Sequence, residues 1–228
     1  MNEPQSVRER YARREAQDPR YSLLNPSALL PLQERQRAMM ALFARLGFAD
    51  LSALSLLEVG CGTGSNLLEL IHVGFMPDRL AGIELLHERF DMARSRLPES
   101  VQLLQGDATV LAPQLGPVDI VMQATVFSSL LDDAFQQRLA DVMWQAVKPG
   151  GGVLWYDFTV DNPRNKDVRG VALSRVKQLF PQGRVQPRRI TLAPPLARAV
   201  VRLHPSLYTL FNTLPALRTH VLCWIAKD

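Results

Sequence analysis

The sequence predicts an α/β protein with a doubly wound, mostly parallel seven-stranded sheet. Short apolar runs of strand length alternate with stretches of helical periodicity, which is typical of a parallel sheet covered by helices on both faces. The run at residues 56–59 ends at a turn with glycines at positions 60, 62 and 64, and a helical pattern follows directly. A strand, a glycine turn and a helix N-terminus in this order are typical of a site for a nucleotide-like ligand.

The remaining elements follow in chain order. A charged N-terminal stretch at residues 6–16 predicts a helix, and residues 32–46 predict a second helix that ends at Gly47. Leucine-rich and β-branched runs bounded by glycine, proline or polar residues favour strands. We expect strands at residues 54–59, 79–85, 101–105, 118–124, 153–158, 184–192 and 219–227, with the last two able to add an antiparallel edge. Helices are expected after the second strand as far as residue 97, at 132–147 and at 168–180.

Residues 193–217 interrupt this alternation. Prolines at positions 194, 195, 205 and 215 bound two short apolar segments between the last two strands. We expect these segments to form a small helical lid over the mouth of the site, with an extension of the core as the alternative. The predicted organisation is therefore an N-terminal helical arm at residues 1–50 that packs on a core domain at residues 51–228.

Composition favours a globular protein. The 228 residues are 47% hydrophobic and 21% charged, which argues against disorder. Cys61 and Cys223 both lie in apolar runs and are too few for a disulfide framework or a zinc cluster. No apolar run reaches the length of a membrane span, and the N-terminus does not resemble a signal peptide. We therefore expect a cytoplasmic protein with reduced, buried thiols.

The positive charge is concentrated at one end of the chain. Residues 164–228 contain 12 Lys and Arg against 2 acidic residues, whereas the rest of the chain contains 14 basic and 20 acidic residues. Such a region suits an anionic acceptor or contact with an anionic membrane surface. A solvated basic face is the alternative explanation.

Residues that end neighbouring strands are expected to meet in one crevice, because ligands of open parallel sheets bind beyond the carboxyl ends of the strands. Glu84 ends the second strand and can accept two ribose hydroxyls, since a carboxylate accepts several hydrogen bonds. Asp107 with Ala108 follows the third strand, where the carboxylate can accept from an adenine amino group. Gln123 and Thr125 end the fourth strand and are expected to face the same crevice. These details favour S-adenosylmethionine as the ligand.

Taken together, these motifs resemble the class I S-adenosylmethionine-dependent methyltransferases. That family has an E/D-x-G-x-G-x-G turn, an acidic residue at the end of the second strand and a G-D-A sequence at the end of the third. The resemblance covers about residues 54–158, including the K-P-G-G-G turn at 148–152. It implies that Glu58 and the turn hold the methionine part, Glu84 the ribose and Asp107 the adenine. The full set of expected cofactor contacts is Glu58, Gly60, Cys61, Gly62, Gly64, Glu84, Leu85, Asp107, Ala108, Gln123 and Thr125.

A nicotinamide-dependent dehydrogenase is the rival interpretation of the glycine turn. Its G-x-G-x-x-G fingerprint requires glycine where this chain has Ser65, whereas Glu84 suits both families. The G-D-A and K-P-G-G-G elements favour the methyltransferase.

Methyl transfer from a sulfonium needs mainly positioning of the acceptor, although a base helps where the acceptor is a hydroxyl. Asp157 is the first candidate base and Tyr156 the second, with His204 a third. No metal is expected, because Asp161 and Asn162, which could complete a magnesium site with Asp157, favour a turn. We expect the N-terminal arm to fold back over the cofactor, with Tyr21 closing the site.

The acceptor is less constrained by the sequence. The apolar 193–217 segment together with Arg188, Arg189, Arg198 and Arg202 suggests a small or lipid-linked, anionic or saccharide acceptor, methylated on oxygen. Two alternatives stay open. One is a nucleic-acid or protein methyltransferase, although the aromatic residues of the basic region do not alternate with its arginines as a base-stacking surface requires. The other is a cofactor-binding module with a regulatory role.

Overall fold

The computed structural model describes residues 2–13, 22–163 and 165–228. It contains a seven-stranded sheet with the strand order β3-β2-β1-β4-β5-β7-β6. The strands are β1 (Leu56–Val59), β2 (Leu80–Glu84), β3 (Gln102–Gln105), β4 (Val118–Ala124), β5 (Val147–Phe158), β6 (Arg184–Leu192) and β7 (Arg218–Ala226). Strands β1 to β6 run in one direction, and only β7, between β5 and β6, runs antiparallel. The predicted α/β sheet with an antiparallel edge is confirmed.

Helices cover both faces of the sheet. They are α1 (Glu3–Ala12), α2 (Pro26–Arg45), α3 (Ser65–His72), α4 (His87–Arg96), α5 (Ala108–Leu111), α6 (Asp133–Ala146), α7 (Leu173–Leu179), α8 (Pro194–Leu203) and α9 (Ser206–Asn212). Local sequence sets several of their starts. For example, the Asp132 carboxylate accepts from the backbone N–H groups of Ala134 and Phe135 and so caps α6. None of the helices in the described ranges is both long and apolar enough to cross a lipid bilayer.

Two apolar clusters form the core, one on each face of the sheet. Residues from α2, α3 and α4 pack on one face, and residues from α1, α6 and α7 pack on the other. Trp155 in β5 is fully buried on the second face, with its ring centroid 4.5 Å from that of Phe127. Because both faces are covered, β1 is buried at all four of its positions.

The structure differs from the sequence predictions mainly at element ends. Strands β4 and β6 have the predicted bounds, but β5 begins at Val147 rather than at Val153. The glycines at 150–152 belong to this strand, where Gly150 has φ +79° and its N–H donates to the Lys227 carbonyl. The pairing of β4 with β5 shifts register between Val118 and Ile120 to accommodate this bend.

The predicted lid residues 193–217 form α8, α9 and a short 3-10 turn between β6 and β7. Both helices lie at the carboxyl edge of the sheet, because β6 ends and β7 begins there. They pack through Ala197, Val200 and Tyr208 against Leu192 of β6 and Leu30 of α2. The inserted helices therefore exist, and their role as a lid stays a prediction.

Candidate functional site

A cavity lies at the carboxyl ends of β1, β2, β3 and β4, where the chain crosses from one half of the sheet to the other. It measures about 770 Å³ including its open mouth. Its walls come from the glycine turn, the strand ends, the start of α6 and helix α1. The lining residues are Pro4, Val7, Tyr11, Val59, Gly60, Glu84, Leu85, Leu86, Arg89, Gly106, Asp107, Ala108, Ala124, Thr125, Val126, Ser129, Leu130, Phe135 and Leu139.

The glycine turn after β1 is held close to neighbouring elements. Gly60, Gly62 and Gly64 have φ values of +68°, +58° and +77°, which residues other than glycine rarely adopt. A Cβ atom on Gly60 would lie 2.5 Å from Cγ2 of Val126, and one on Gly64 would lie 2.7 Å from Cδ1 of Leu97. The glycines therefore allow both the backbone bend and close packing against the β4 end and α4.

Glu84 lines the cavity, and its carboxylate is fixed by the backbone. Its Oε2 accepts from the N–H of Gly62 at 2.8 Å, and its Oε1 accepts from the N–H of Leu86 at 2.8 Å. The residue is 5% exposed. Each oxygen keeps further acceptor capacity, so two neighbouring hydroxyl groups of a ligand can donate to the same carboxylate.

Glu58 lies beneath the turn and is fully buried. Its Oε1 accepts from Nδ2 of Asn66 at 2.6 Å, whereas its Oε2 has no hydrogen-bond partner. Burial raises the pKa of this carboxyl to about 7, against the opposing effects of the Asn66 hydrogen bond and the Arg35 charge. An unpartnered buried carboxylate oxygen is costly, and a cationic group of a ligand would relieve that cost.

Asp107 lies at the cavity wall and caps the short helix α5. Its Oδ1 accepts from both the backbone N–H and the hydroxyl of Thr109, each at 2.8 Å. Ala108 and Leu85, two more of the expected cofactor contacts, also line the cavity.

Other predicted contacts lie away from the cavity wall. Gln123 is fully buried, and its amide groups accept from the Val126 N–H and donate to the Tyr156 carbonyl, so that it fixes the end of β4. Cys61 is 4% exposed, with its thiol packed near Gly82. Gly62 and Gly64 shape the turn without lining the cavity, whereas Thr125, with φ +57°, does line it.

The first two candidate bases, Asp157 and Tyr156, are also internal, whereas the third, His204, is exposed and does not line the cavity. Asp157 is fully buried, and its carboxylate accepts from the N–H groups of Ser128 and Phe158. The Tyr156 hydroxyl lies 3.1 Å from that of Thr191, and burial raises its pKa to about 12. Neither residue lines the cavity, so the expectation that they face an acceptor is not supported by their position.

Helix α1, part of the predicted N-terminal arm, forms one wall of the cavity. Pro4, Val7 and Tyr11 face the cavity from this helix. The buried Glu3 carboxylate accepts from Nη2 of Arg10 at 2.6 Å and from the Leu131 N–H at 2.7 Å, which anchors the helix to the chain before α6. Tyr21, the arm residue predicted to close the site, lies outside the described residues.

Two arginines near the site were not predicted. Arg89 of α4 lines the cavity with its guanidinium carbon 4.6 Å from the centre of the Tyr11 ring. Arg35 of α2 is mostly buried and donates through Nη2 to Asn66 and Glu69, but its Nε has no partner. The sequence gives little signal for either residue, because both belong to arginine-containing helices that are typical of solvent-exposed surfaces.

Comparison with known proteins finds a methyltransferase domain in part of the chain. Residues 56–151 match the family model described as a methyltransferase domain. The chain is 34% identical over 119 residues to a trans-aconitate 2-methyltransferase of Paracidovorax citrulli and 27% identical over 109 residues to a demethylmenaquinone methyltransferase of Lactococcus lactis. These matches cover 52% and 46% of this chain and 43% and 42% of the relatives, so the chain matches less than half the length of each relative.

Solved structures show the same fold over nearly the whole chain. An S-adenosylmethionine-dependent methyltransferase from Thermotoga maritima aligns with a TM-score of 0.65 at 16% identity, covering 97% of this chain and 100% of that one. The magnesium protoporphyrin IX methyltransferase from Synechocystis with bound S-adenosylmethionine aligns with a TM-score of 0.61 at 12% identity, covering 99% and 98%. Residues 56–151 therefore match the methyltransferase-domain family, and the chain has the fold of solved S-adenosylmethionine-dependent methyltransferases.

Proposed function

We propose that the protein transfers a methyl group from S-adenosylmethionine to an oxygen atom of a small-molecule acceptor. The observation that carries this proposal is the cavity in which the glycine turn and the Glu84 carboxylate meet at the carboxyl ends of β1 and β2. The matches with methyltransferases support the reaction class, whereas the acceptor is inferred from the charge and apolar character of the chain.

The residues present fit the cofactor. The cavity is lined mainly by apolar side chains with a few polar groups, which is typical of small-molecule sites. Glu84 offers a fixed carboxylate for the ribose hydroxyls, and Asp107 is the acceptor expected for the adenine amino group. The unpartnered Oε2 of Glu58 lies beneath the turn, where the methionine ammonium is expected. Arg35, with an unpartnered Nε, is a candidate for the methionine carboxylate.

When bound, S-adenosylmethionine supplies an electrophilic methyl group on a positively charged sulfur. The protein residues then have three tasks: to hold the cofactor through Glu84 and the glycine turn, to exclude water, and to orient the acceptor. Helix α1 covers the cavity with Val7 and Tyr11 and so contributes to the exclusion of water. Proton removal from a hydroxyl acceptor by Asp157 or Tyr156 remains a prediction, and both side chains would have to become accessible for that role.

For the acceptor we propose an anionic or lipid-linked small molecule, including saccharides. Two relatives are named for small-molecule acceptors, trans-aconitate and demethylmenaquinone. The basic C-terminal region and the exposed leucines of α8 and α9 suit a molecule with a negative charge or an apolar chain. Cytoplasmic location stays a prediction.

The test is incubation of the purified protein with methyl-labelled S-adenosylmethionine and a panel of acceptors. The panel contains polycarboxylates, quinols, free and lipid-linked saccharides, simple phenols, RNA, DNA and peptides, with products identified by mass spectrometry. We expect label in an anionic or lipid-linked acceptor. Label confined to nucleic acid or peptide would contradict the proposal. Calorimetric binding of the cofactor without turnover on any acceptor would favour a regulatory module instead.

A further inference from the structure

Helices α8 and α9 carry an exposed apolar and basic surface. Leu203 is 80% exposed, Leu210 is 62% exposed and Leu214 is 53% exposed. Arg202 is also exposed, and Arg198 lies one helical turn before it on α8. These five residues, called here the leucine–arginine surface, lie at the carboxyl edge of the sheet between the end of β6 and the start of β7.

The orientation of this surface is fixed by packing on its inner side. Ala197 and Val200 of α8 and Tyr208 of α9 are buried against Leu192. The Tyr208 hydroxyl donates to Oε2 of Glu34 at 2.7 Å, which ties α9 to α2. Because the inner face of the helix pair is committed to the core, the exposed leucines are not core residues that a small shift could bury.

The chain segment that carries the surface contains basic residues and no acidic ones. Residues 168–227 contain ten Lys and Arg and no Asp or Glu. In the described part of the chain, no acidic side chain pairs with Arg198 or Arg202. The carboxylate of Glu34, which reaches the helix pair from α2, is occupied by the Tyr208 hydroxyl and the Thr191 N–H.

Two further exposed leucines lie just before α2. Leu23 is 54% exposed and Leu24 is 96% exposed. Leu30, in the first turns of α2, packs into the cluster that supports α8 and α9.

We propose that the leucine–arginine surface docks on the surface of an anionic phospholipid bilayer. Exposed leucines beside unpaired arginines are the combination that enters the headgroup region, where the apolar side chains reach the acyl boundary and the guanidinium groups contact phosphates. The surface lies at the same edge of the sheet as the cofactor cavity. Docking would thus turn the edge that carries the methyl donor toward the membrane, whichever acceptor the protein uses.

The test is flotation of the full-length protein with vesicles of phosphatidylglycerol and phosphatidylcholine, compared with phosphatidylcholine alone. We expect binding to the anionic vesicles that falls as salt is raised. Replacing both arginines, Arg198→Gln with Arg202→Gln, should weaken binding about 30-fold, since each basic side chain near an anionic surface contributes about fivefold. Replacing Leu203→Ser with Leu210→Ser should also reduce binding.

Matched variants test the location. Arg184 begins β6, about 26 Å from the carboxyl end of that strand at 3.3 Å per residue, and Lys177 lies in α7, the helix before it. Lys177→Gln with Arg184→Gln removes the same charge and should change binding less than threefold. For the leucines, Met92→Ser with Val110→Ser removes comparable exposed apolar side chains on α4 and α5.

Three results would overturn the proposal. The first is equal binding of the wild-type protein to neutral and anionic vesicles, or none to either. The second is an equal loss of binding in the matched charge variant, which would show a response to net charge alone. The third is a dimer, detected by light scattering, that Leu203→Ser with Leu210→Ser abolishes and that excludes vesicle binding, because a second copy would then be the occupant.

Discussion

Replacing Glu84 with glutamine tests the binding site at its most defined point. In the wild-type protein both carboxylate oxygens accept backbone N–H groups and retain capacity for ligand hydroxyls. Glutamine keeps the size of the side chain but replaces one acceptor oxygen with an NH₂ donor. That donor faces an N–H group, of Gly62 or of Leu86, and can no longer accept from a ribose hydroxyl.

The expected loss follows from the number of bonds removed. One hydrogen bond to a charged group contributes about 1.5–3 kcal/mol, so we expect Glu84→Gln to weaken the binding of S-adenosylhomocysteine roughly 10- to 150-fold. Glu88→Gln is the control, since Glu88 is exposed on α4 and does not line the cavity. It should bind within twofold of the wild-type protein.

Calorimetry with two ligands separates a direct contact from a distorted turn. Affinities of both proteins for S-adenosylhomocysteine and for its 2′,3′-dideoxy analogue form a double-mutant cycle. If Glu84 receives the ribose hydroxyls, removing them costs the wild-type protein more than it costs Glu84→Gln, with a coupling of at least about 1 kcal/mol. Equal losses in the two proteins would refute the assignment and leave Glu84 a purely structural role.

Three further predictions concern residues around the cavity. Because the pKa of the Glu58 carboxyl is raised to about 7, the folded protein binds its proton more tightly than the unfolded chain does, and the free energy of unfolding falls as pH rises from about 4.5 to 7. Glu58→Gln should remove that part of the pH dependence and stabilise the protein without cofactor at pH 8 by up to about 3 kcal/mol in urea titrations. An unchanged pH dependence would contradict the claim that burial raises this pKa. Gly60→Ala should lower stability and cofactor affinity, since the added Cβ would lie 2.5 Å from Cγ2 of Val126. A wild-type affinity in calorimetry would show that the turn does not need glycine at this position. Glu3→Ala leaves Arg10 buried without its ion pair, which costs about 3–5 kcal/mol. We therefore expect α1 to become accessible to protease and cofactor affinity to fall. An unchanged rate of digestion would show that other contacts hold α1.

The sequence predicted those parts of the fold and site that depend on local pattern. The glycine turn, Glu84 and Asp107 are recognisable because a few adjacent residues determine a turn, a strand end or a helix cap. Strand β4 is predicted with its observed bounds for the same reason, since Gly116 and Pro117 precede it and apolar residues 120–122 form its centre.

Contacts between distant parts of the chain were not predictable. The N-terminal arm was expected over the cofactor, but the contact that positions α1, between Glu3 and the Leu131 N–H 128 residues away, has no local signal in the sequence. The sequence also does not predict which way a side chain points at the end of a strand that is buried on both faces, because such a strand shows no alternation of polar and apolar residues. For this reason Gln123 and Asp157 were expected on the cavity, although both turn into the protein and bond to backbone groups.

The central claim is that the cavity between the glycine turn and α1 binds the methyl donor. A crystal structure of the protein with S-adenosylhomocysteine tests it most directly. We expect the ribose hydroxyls to donate to Glu84, the adenine to lie beside Asp107 and Ala108, and α1 to contact the ligand through Tyr11. Density for the ligand at another place in the sheet, or an empty cavity at saturating ligand, would contradict it.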